Sequence, residues 1–222
     1  ERLRAEFQSI LVTSAGPGEG KSTTVLNLAH VFQEFGRRVL VIEADLRRPA
    51  LHRTLGLTNS PGLADFLRGT ATFEEVRRSL PSGVAVIPGQ VVTEDIGSML
   101  ASSRARELLA LARAHFDVVL VDSAPLLAVP DNLLLVSALD RVLLVVKAAA
   151  TSKRDLRKAQ TILEHANART LGVVLNQVDL QDVHYYHRRY RKYYGIDKST
   201  PSRDGEATPA SARRFRLLSW KG

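Results

Sequence analysis

An α/β domain with a mostly parallel, doubly wound sheet is what this sequence predicts, and three observations predict it. Short apolar runs without polar alternation recur along the chain, stretches of helical pattern separate them, and a glycine-rich turn joins the first run to the first helix. Unalternated Val- and Leu-rich runs mark parallel strands covered on both faces. Strands separated by helices in series require right-handed crossovers. With 222 residues, 45% of them apolar and 24% charged, the chain has enough material for one such core.

The elements follow in order. SILVT at 9–13 reads as the first strand, and a helical pattern over 21–36 follows it, with Gly36 as its stop. VLVIE at 39–43 is the second strand. Shorter helical stretches fall near 49–56, 62–68 and 73–78, before the strand VAVI at 84–87. A helix over 98–115 leads into DVVLV at 117–121. RVLLVV at 141–146, a helix over 152–167 and LGVVL at 171–175 complete the body. In sheets of this kind ligands bind beyond the carboxyl ends of the strands, so the residues at those ends are the candidates for chemistry.

Immediately after the first strand stands Ala15-Gly16-Pro17-Gly18-Glu19-Gly20-Lys21-Ser22-Thr23, which fits the [AG]-x-x-x-x-G-K-[ST] phosphate-loop pattern. Glycines let successive backbone N–H groups turn toward a phosphate chain, and the helix that follows adds its N-terminal dipole. The segment from Gly16 through Thr23, with Gly18, Glu19 and Gly20 between, is therefore the expected ATP cradle. Lys21 would reach the β- and γ-phosphates and the Ser22 hydroxyl would ligate Mg²⁺. A glycine-rich strand–helix turn with an unrelated lysine is the plainer alternative. The fold expected is that of a P-loop NTPase.

Two further strand ends carry carboxylates. Asp122 ends DVVLVD, in the manner of a Walker B aspartate that holds Mg²⁺ directly or through water. Glu43 and Asp45 are two residues apart and point the same way if extended, bracketing positions for a metal and a base. A strand-end turn in which Asp45 pairs with a following arginine is the alternative. Asn176, ending LGVVLN, suits either an adenine edge or the cap of a turn.

Composition removes several classes. With no cysteine there is no disulfide framework, iron–sulfur cluster, thiolate zinc site or cysteine nucleophile. No apolar run approaches the ~20 residues of a membrane span, and the chain reads as soluble and intracellular. The formal charge of +8 is unevenly placed: residues 1–183 hold 21 basic and 20 acidic residues, whereas 184–222 hold 10 and 3. The expected division is a nucleotide-binding body at 1–183, a tyrosine cluster at 184–195 and a flexible basic tail at 196–222. All five tyrosines, Tyr185, Tyr186, Tyr190, Tyr193 and Tyr194, fall in that cluster. Between His184 and Tyr194 there is no aliphatic residue and four are Arg or Lys. A core aromatic stripe, an RNA-stacking surface and a set of phosphoacceptors are the three readings.

Taken together, SAGPGEGKST, VLVIEADLRRP, FDVVLVDSAP and LGVVLN resemble the corresponding motifs of the bacterial tyrosine autokinases, P-loop kinases that govern capsule and exopolysaccharide synthesis. The resemblance covers about residues 1–195. It implies ATP and Mg²⁺ as cofactors, Lys21 on phosphate, and Ser22, Asp45 and Asp122 about the metal. It implies Glu43, where the family has Asp, as the candidate base for the tyrosine hydroxyl. Lys21, Glu43, Asp45 and Asp122 are thus the expected catalytic set. It further implies that the tail tyrosines are the phosphoacceptors, modified in trans within a homo-oligomeric ring. Glu1 and Arg4 match part of the family's E-x-x-R-x-x-R oligomerisation motif, with Phe7 in place of its second Arg. The implied partners are a membrane polysaccharide co-polymerase, fused or separate, that activates the kinase at the inner face of the membrane, and a tyrosine phosphatase. Two departures stand out: Glu43 itself, and Ala124 in place of a usual Pro. The partition and septum-positioning ATPases are next nearest, but Gly16 occupies their signature-lysine position. An ATPase switch or weakened scaffold is the alternative function, and nucleic acid is not an expected partner.

Overall fold

The computed structural model describes residues 7–93, 95–129 and 131–178. Among them, seven strands form one sheet: β1 (Ser9–Ser14), β2 (Val39–Glu43), β3 (Arg78–Ser79), β4 (Ala85–Ile87), β5 (Val118–Asp122), β6 (Arg141–Lys147) and β7 (Thr170–Asn176). Their order is β3-β4-β2-β5-β1-β6-β7, parallel except for the two-residue β3. The sheet's axis is β2-β5-β1, so the carboxyl ends of the three strands that carry the candidate residues lie side by side. The register sets Glu43 opposite Asp122, and Asp122 opposite Val12 of β1.

The absence of polar alternation in the central strands is explained by their two covered faces. Leu11, Leu40, Ile42, Val119 and Val121 pack into one apolar layer. Their immediate neighbours Ile10, Val12, Val39, Val41, Val118 and Leu120 pack into the other. On that second face lie α1 (Lys21–Glu34), through Val25 and Ala29, and α2 (Leu51–Leu55). The first face is covered by α3 (Leu63–Arg68), α4 (Phe73–Val76), α5 (Ile96–Ala101), α6 (Ser103–His115), α7 (Asn132–Ala138) and α8 (Lys153–His165). Burying a side chain such as Leu11 or Leu120, each fully enclosed, is worth about 2 kcal/mol.

Three differences from the sequence reading have local causes. The helix expected over 98–115 is two helices, because the Ser102 hydroxyl accepts from the Ala105 N–H and starts α6 afresh. A further helix, α7, occupies a stretch to which the sequence reading assigned no element. An antiparallel β3 pairs Arg78 and Ser79 with β4. The described residues belong to a unit that ends at Val178. The expected boundary at 183/184, the five tyrosines, Glu1 and Arg4 lie outside the described residues. Among the described residues no helix is long and apolar enough to cross a membrane.

Candidate active site

The phosphate loop leaves β1 at Ser14 and enters α1 at Lys21. Gly18 and Gly20 have φ of 73° and 95°, in the left-handed region that side chains resist. Gly20 is constrained twice over: a Cβ there would lie 2.0 Å from the Asn176 amide nitrogen. That nitrogen donates to the Glu19 carbonyl at 2.9 Å, so the end of β7 latches the loop from the side. Gly20→Ala should therefore lower stability by more than about 1 kcal/mol and weaken MgATP binding at least about tenfold, read by thermal unfolding and nucleotide titration.

Of the residues expected to form the cradle, Lys21 and Ser22 open α1 and Thr23 follows within its first turn. The Glu19 carboxylate is turned aside: it is only 6% exposed and accepts from the Thr151 hydroxyl, just before α8. Thr151 was not among the sequence candidates, and neither was Gln177, whose positive φ of 55° brings its amide to 3.5 Å from the Gly18 carbonyl. Nothing in either residue's type announces such a role; the partners lie more than 130 positions away.

Asp122 sits at the middle of the site. It is 2% exposed, accepts from the Ser22 hydroxyl at 2.5 Å through Oδ2, and leaves Oδ1 buried without a partner. Burial pushes its carboxyl up to about 7, against the pull of Ser22 and Lys21 and with the repulsion of Glu43 and Asp45. Behind it the chain is fixed at Ala124, whose carbonyl accepts from Thr13, Ser123 and Asn132. Ala124 itself is buried.

The two carboxylates of the second strand motif do different things. Glu43 is 1% exposed, and both of its oxygens are taken by backbone donors. Oε1 accepts from Ala50 and Leu51 at the start of α2, and Oε2 accepts from Gly89 at 2.9 Å. Gly89 is a close fit, because a Cβ there would stand 2.9 Å from the Glu43 Cγ. Asp45 is half-exposed, with Oδ1 accepting from the Arg48 N–H at 3.0 Å. The arginine of this loop that does form an ion pair is Arg47, with Asp131.

The chemistry of this donor set suits a hard cation. Among the described residues no three His, Cys, Asp or Glu side chains cage an ion unaided. Mg²⁺ ordinarily takes one or two carboxylates and fills its shell with water and phosphate oxygens. The unpartnered Asp122 Oδ1 and the adjacent Ser22 hydroxyl fit that requirement.

Comparison with known proteins bears on the same features. Residues 10–196 match the family described as the CobQ/CobB/MinD/ParA nucleotide binding domain. The chain is 36% identical over 191 residues to the tyrosine-protein kinase YwqD of Bacillus subtilis, covering 86% of this chain and 78% of that one. It is 35% identical over 207 residues to the putative tyrosine-protein kinase EpsB of Ralstonia nicotianae, covering 90% of this chain. It spans about a quarter of that relative's length, 27%. Among solved structures, the VpsO kinase domain superposes with a TM-score of 0.75 at 32% identity, covering 80% of this chain and 88% of that one.

Proposed function

The chain belongs to the CobQ/CobB/MinD/ParA nucleotide-binding family and, within it, to the bacterial tyrosine-protein kinases, and from that premise we propose that it transfers the γ-phosphoryl group of ATP to tyrosine hydroxyls. The observation that carries the proposal is the convergence of Lys21, Ser22, Asp45 and Asp122 at the carboxyl ends of β1, β2 and β5. Phosphoryl transfer runs through a loose transition state, so positioning and charge neutralisation supply most of the catalysis. The loop N–H groups and Lys21 would bind and orient the phosphates. Ser22 and Asp122 would hold Mg²⁺, with Asp45 reaching it through water. Bound there, Mg²⁺ would neutralise charge on the β- and γ-phosphate oxygens. Glu43, enclosed and accepting from three backbone N–H groups, holds the Asp45 loop in place. The solvent-accessible carboxylate that would take up the tyrosine proton is the half-exposed Asp45.

The five tyrosines at 185–194 are the proposed acceptors, phosphorylated by a second copy. Phosphate at about −2 each would reverse the charge of that basic segment. A membrane co-polymerase and a tyrosine phosphatase are the proposed partners, at the inner membrane face, in exopolysaccharide or capsule synthesis. The names and kinship of the relatives support this setting.

Incubation with Mg·ATP should add mass in +80 Da steps confined to the tyrosine cluster. Lys21→Met should reduce incorporation by at least about 100-fold, of the order seen when a transition-state charge partner is removed. Replacing all five tyrosines by Phe should abolish incorporation while MgATP binding persists. Phosphate release without modification of the intact chain or of an added activator would favour an ATPase switch and defeat the kinase reading.

A further inference from the structure

Helix α8 opens against its own electrostatics. Lys153 and Arg154 occupy its first two positions, the end where the helix dipole favours anions. Arg157 and Lys158 follow one turn later, giving the like-charged pairs 153/157 and 154/158 at the spacing that destabilises a helix. All four side chains are exposed, and none forms an ion pair among the described residues. The acid of the first turn, Asp155, is committed to the helix cap: it accepts from the Ser152 hydroxyl at 2.8 Å, and its N–H donates to that hydroxyl at 3.0 Å. Local conflict of this kind, four cations against the single Asp155 of the first turn, marks a surface built for a ligand.

These cations surround a groove of about 700 Å³ whose apolar floor is formed by Leu127 and Ile162. Leu127 belongs to the loop following Asp122 and is tied to the mouth of the phosphate loop, its N–H donating to the Ala15 carbonyl at 3.2 Å. The other border of the groove joins the same region, because Thr151, just before α8, bonds Glu19. The groove thus lies beside the catalytic end of the sheet.

We propose that this groove binds phosphotyrosine in the 184–194 segment of a second copy of the chain. An apolar floor ringed by lysine and arginine takes both halves of that side chain, the ring on Leu127 and Ile162 and the dianion on the cations. An anionic membrane is flat and would use the charges without the concavity. The segment itself supplies the selectivity. Unmodified, its four Arg and Lys are repelled by α8; two phosphates at about −2 each cancel that charge, and each further one makes the segment anionic. The site would therefore read the product of the kinase, and this inference rests on the tyrosines being the acceptors.

The test uses the full chain after phosphatase treatment and labelled synthetic peptides of residues 184–194. One is unmodified, one is phosphorylated at Tyr190 and Tyr193, and one carries Glu at those two positions. The phosphopeptide should bind at least tenfold more tightly than either of the others. The double variant Arg157→Glu/Lys158→Glu should lose at least tenfold of that affinity while its MgATP affinity and unfolding temperature stay unchanged. Equal binding of the three peptides, or undiminished binding by the variant, would overturn the proposal. So would phosphatidylserine vesicles bound by the parent and not by the variant, with the phosphopeptide bound by neither. Because the phosphate is placed synthetically, the outcome is independent of whether the chain modifies itself. A silent kinase assay would count against the function proposed above, and a non-binding phosphopeptide against the groove.

Discussion

Asp122→Asn is expected to destroy phosphotransfer and, at the same time, to make the nucleotide-free protein more stable at pH 8. The two effects share one cause. Asp122 is enclosed, and burial raises its carboxyl to about 7, against an unfolded value near 3.9. A carboxyl raised on folding binds its proton more tightly in the native state. Stability is therefore unimpaired by this group below about pH 4, falls as pH rises through the interval, and reaches its full deficit above about pH 7. At 1.36 kcal/mol per unit over about three units the deficit is about 4 kcal/mol. The asparagine keeps an oxygen to accept from Ser22 and carries no charge. It should match the parent at pH 4 and exceed it by about that amount at pH 8, in chemical unfolding without nucleotide or metal. Kinase activity should fall by at least about 100-fold, because the amide cannot replace the carboxylate that Mg²⁺ requires. A variant less stable than its parent at pH 8 would show that the carboxylate is ionised and paired in the free protein.

Such a group is legible in sequence only in part. That DVVLVD would place an aspartate at a strand's carboxyl end follows from the apolar run alone, as do the five other strands read from 9–13 to 171–175. Burial on both faces removes polar alternation from the central strands, whereas β7 at the sheet edge leaves Leu171, Val173 and Leu175 exposed; the structure returns the same six runs within a residue or two of the expected ends. The small β3 was not legible, because two residues make no pattern. Helix α7 was missed for a related reason. NLLLVSA has apolar residues on every side, yet only Leu135 and Val136 among them are buried, while Leu133 and Leu134 are 37% and 39% exposed.

The site divides along the same line. Motif positions such as Lys21 and Ser22 are fixed by local geometry, since a turn of that composition must open a helix just there. Asn176 was noted as a strand-end residue suited to adenine or to a turn. Its amide goes to the Glu19 carbonyl, 157 positions away, a partner that no local pattern specifies. Glu43 shows the limit most plainly. Its spacing from Asp45 suggested two carboxylates facing one cleft. The chain leaves the strand after Glu43, however, and the fold brings three backbone N–H groups from residues 50, 51 and 89 onto its oxygens. With each oxygen so engaged and the side chain 1% exposed, the longer residue spans from strand end to helix start, where an aspartate would fall about 1.5 Å short.

Glu43→Gln should accordingly weaken the protein before it weakens the chemistry. The amide can present one oxygen to Ala50 and Leu51, but its NH₂ then faces the Gly89 N–H, donor against donor. Loss of a hydrogen bond to a charged acceptor costs about 1.5–3 kcal/mol and an orphaned buried donor about 1–3, so the expected destabilisation is about 2–4 kcal/mol by chemical unfolding. Activity at low temperature should drop through kcat, because the segment anchored at Ala50 and Leu51 carries Asp45, while the affinity for MgATP changes little. The pH dependence separates this positioning role from that of a base. If Glu43 took the tyrosine proton, its replacement would erase the acid limb of the kcat profile. If it holds the Asp45 loop, the limb survives in Glu43→Gln at an unchanged midpoint and vanishes in Asp45→Asn. The enclosure of Glu43, 1% exposed and held by three backbone N–H groups, favours the second outcome, since substrate has no open approach to its carboxylate.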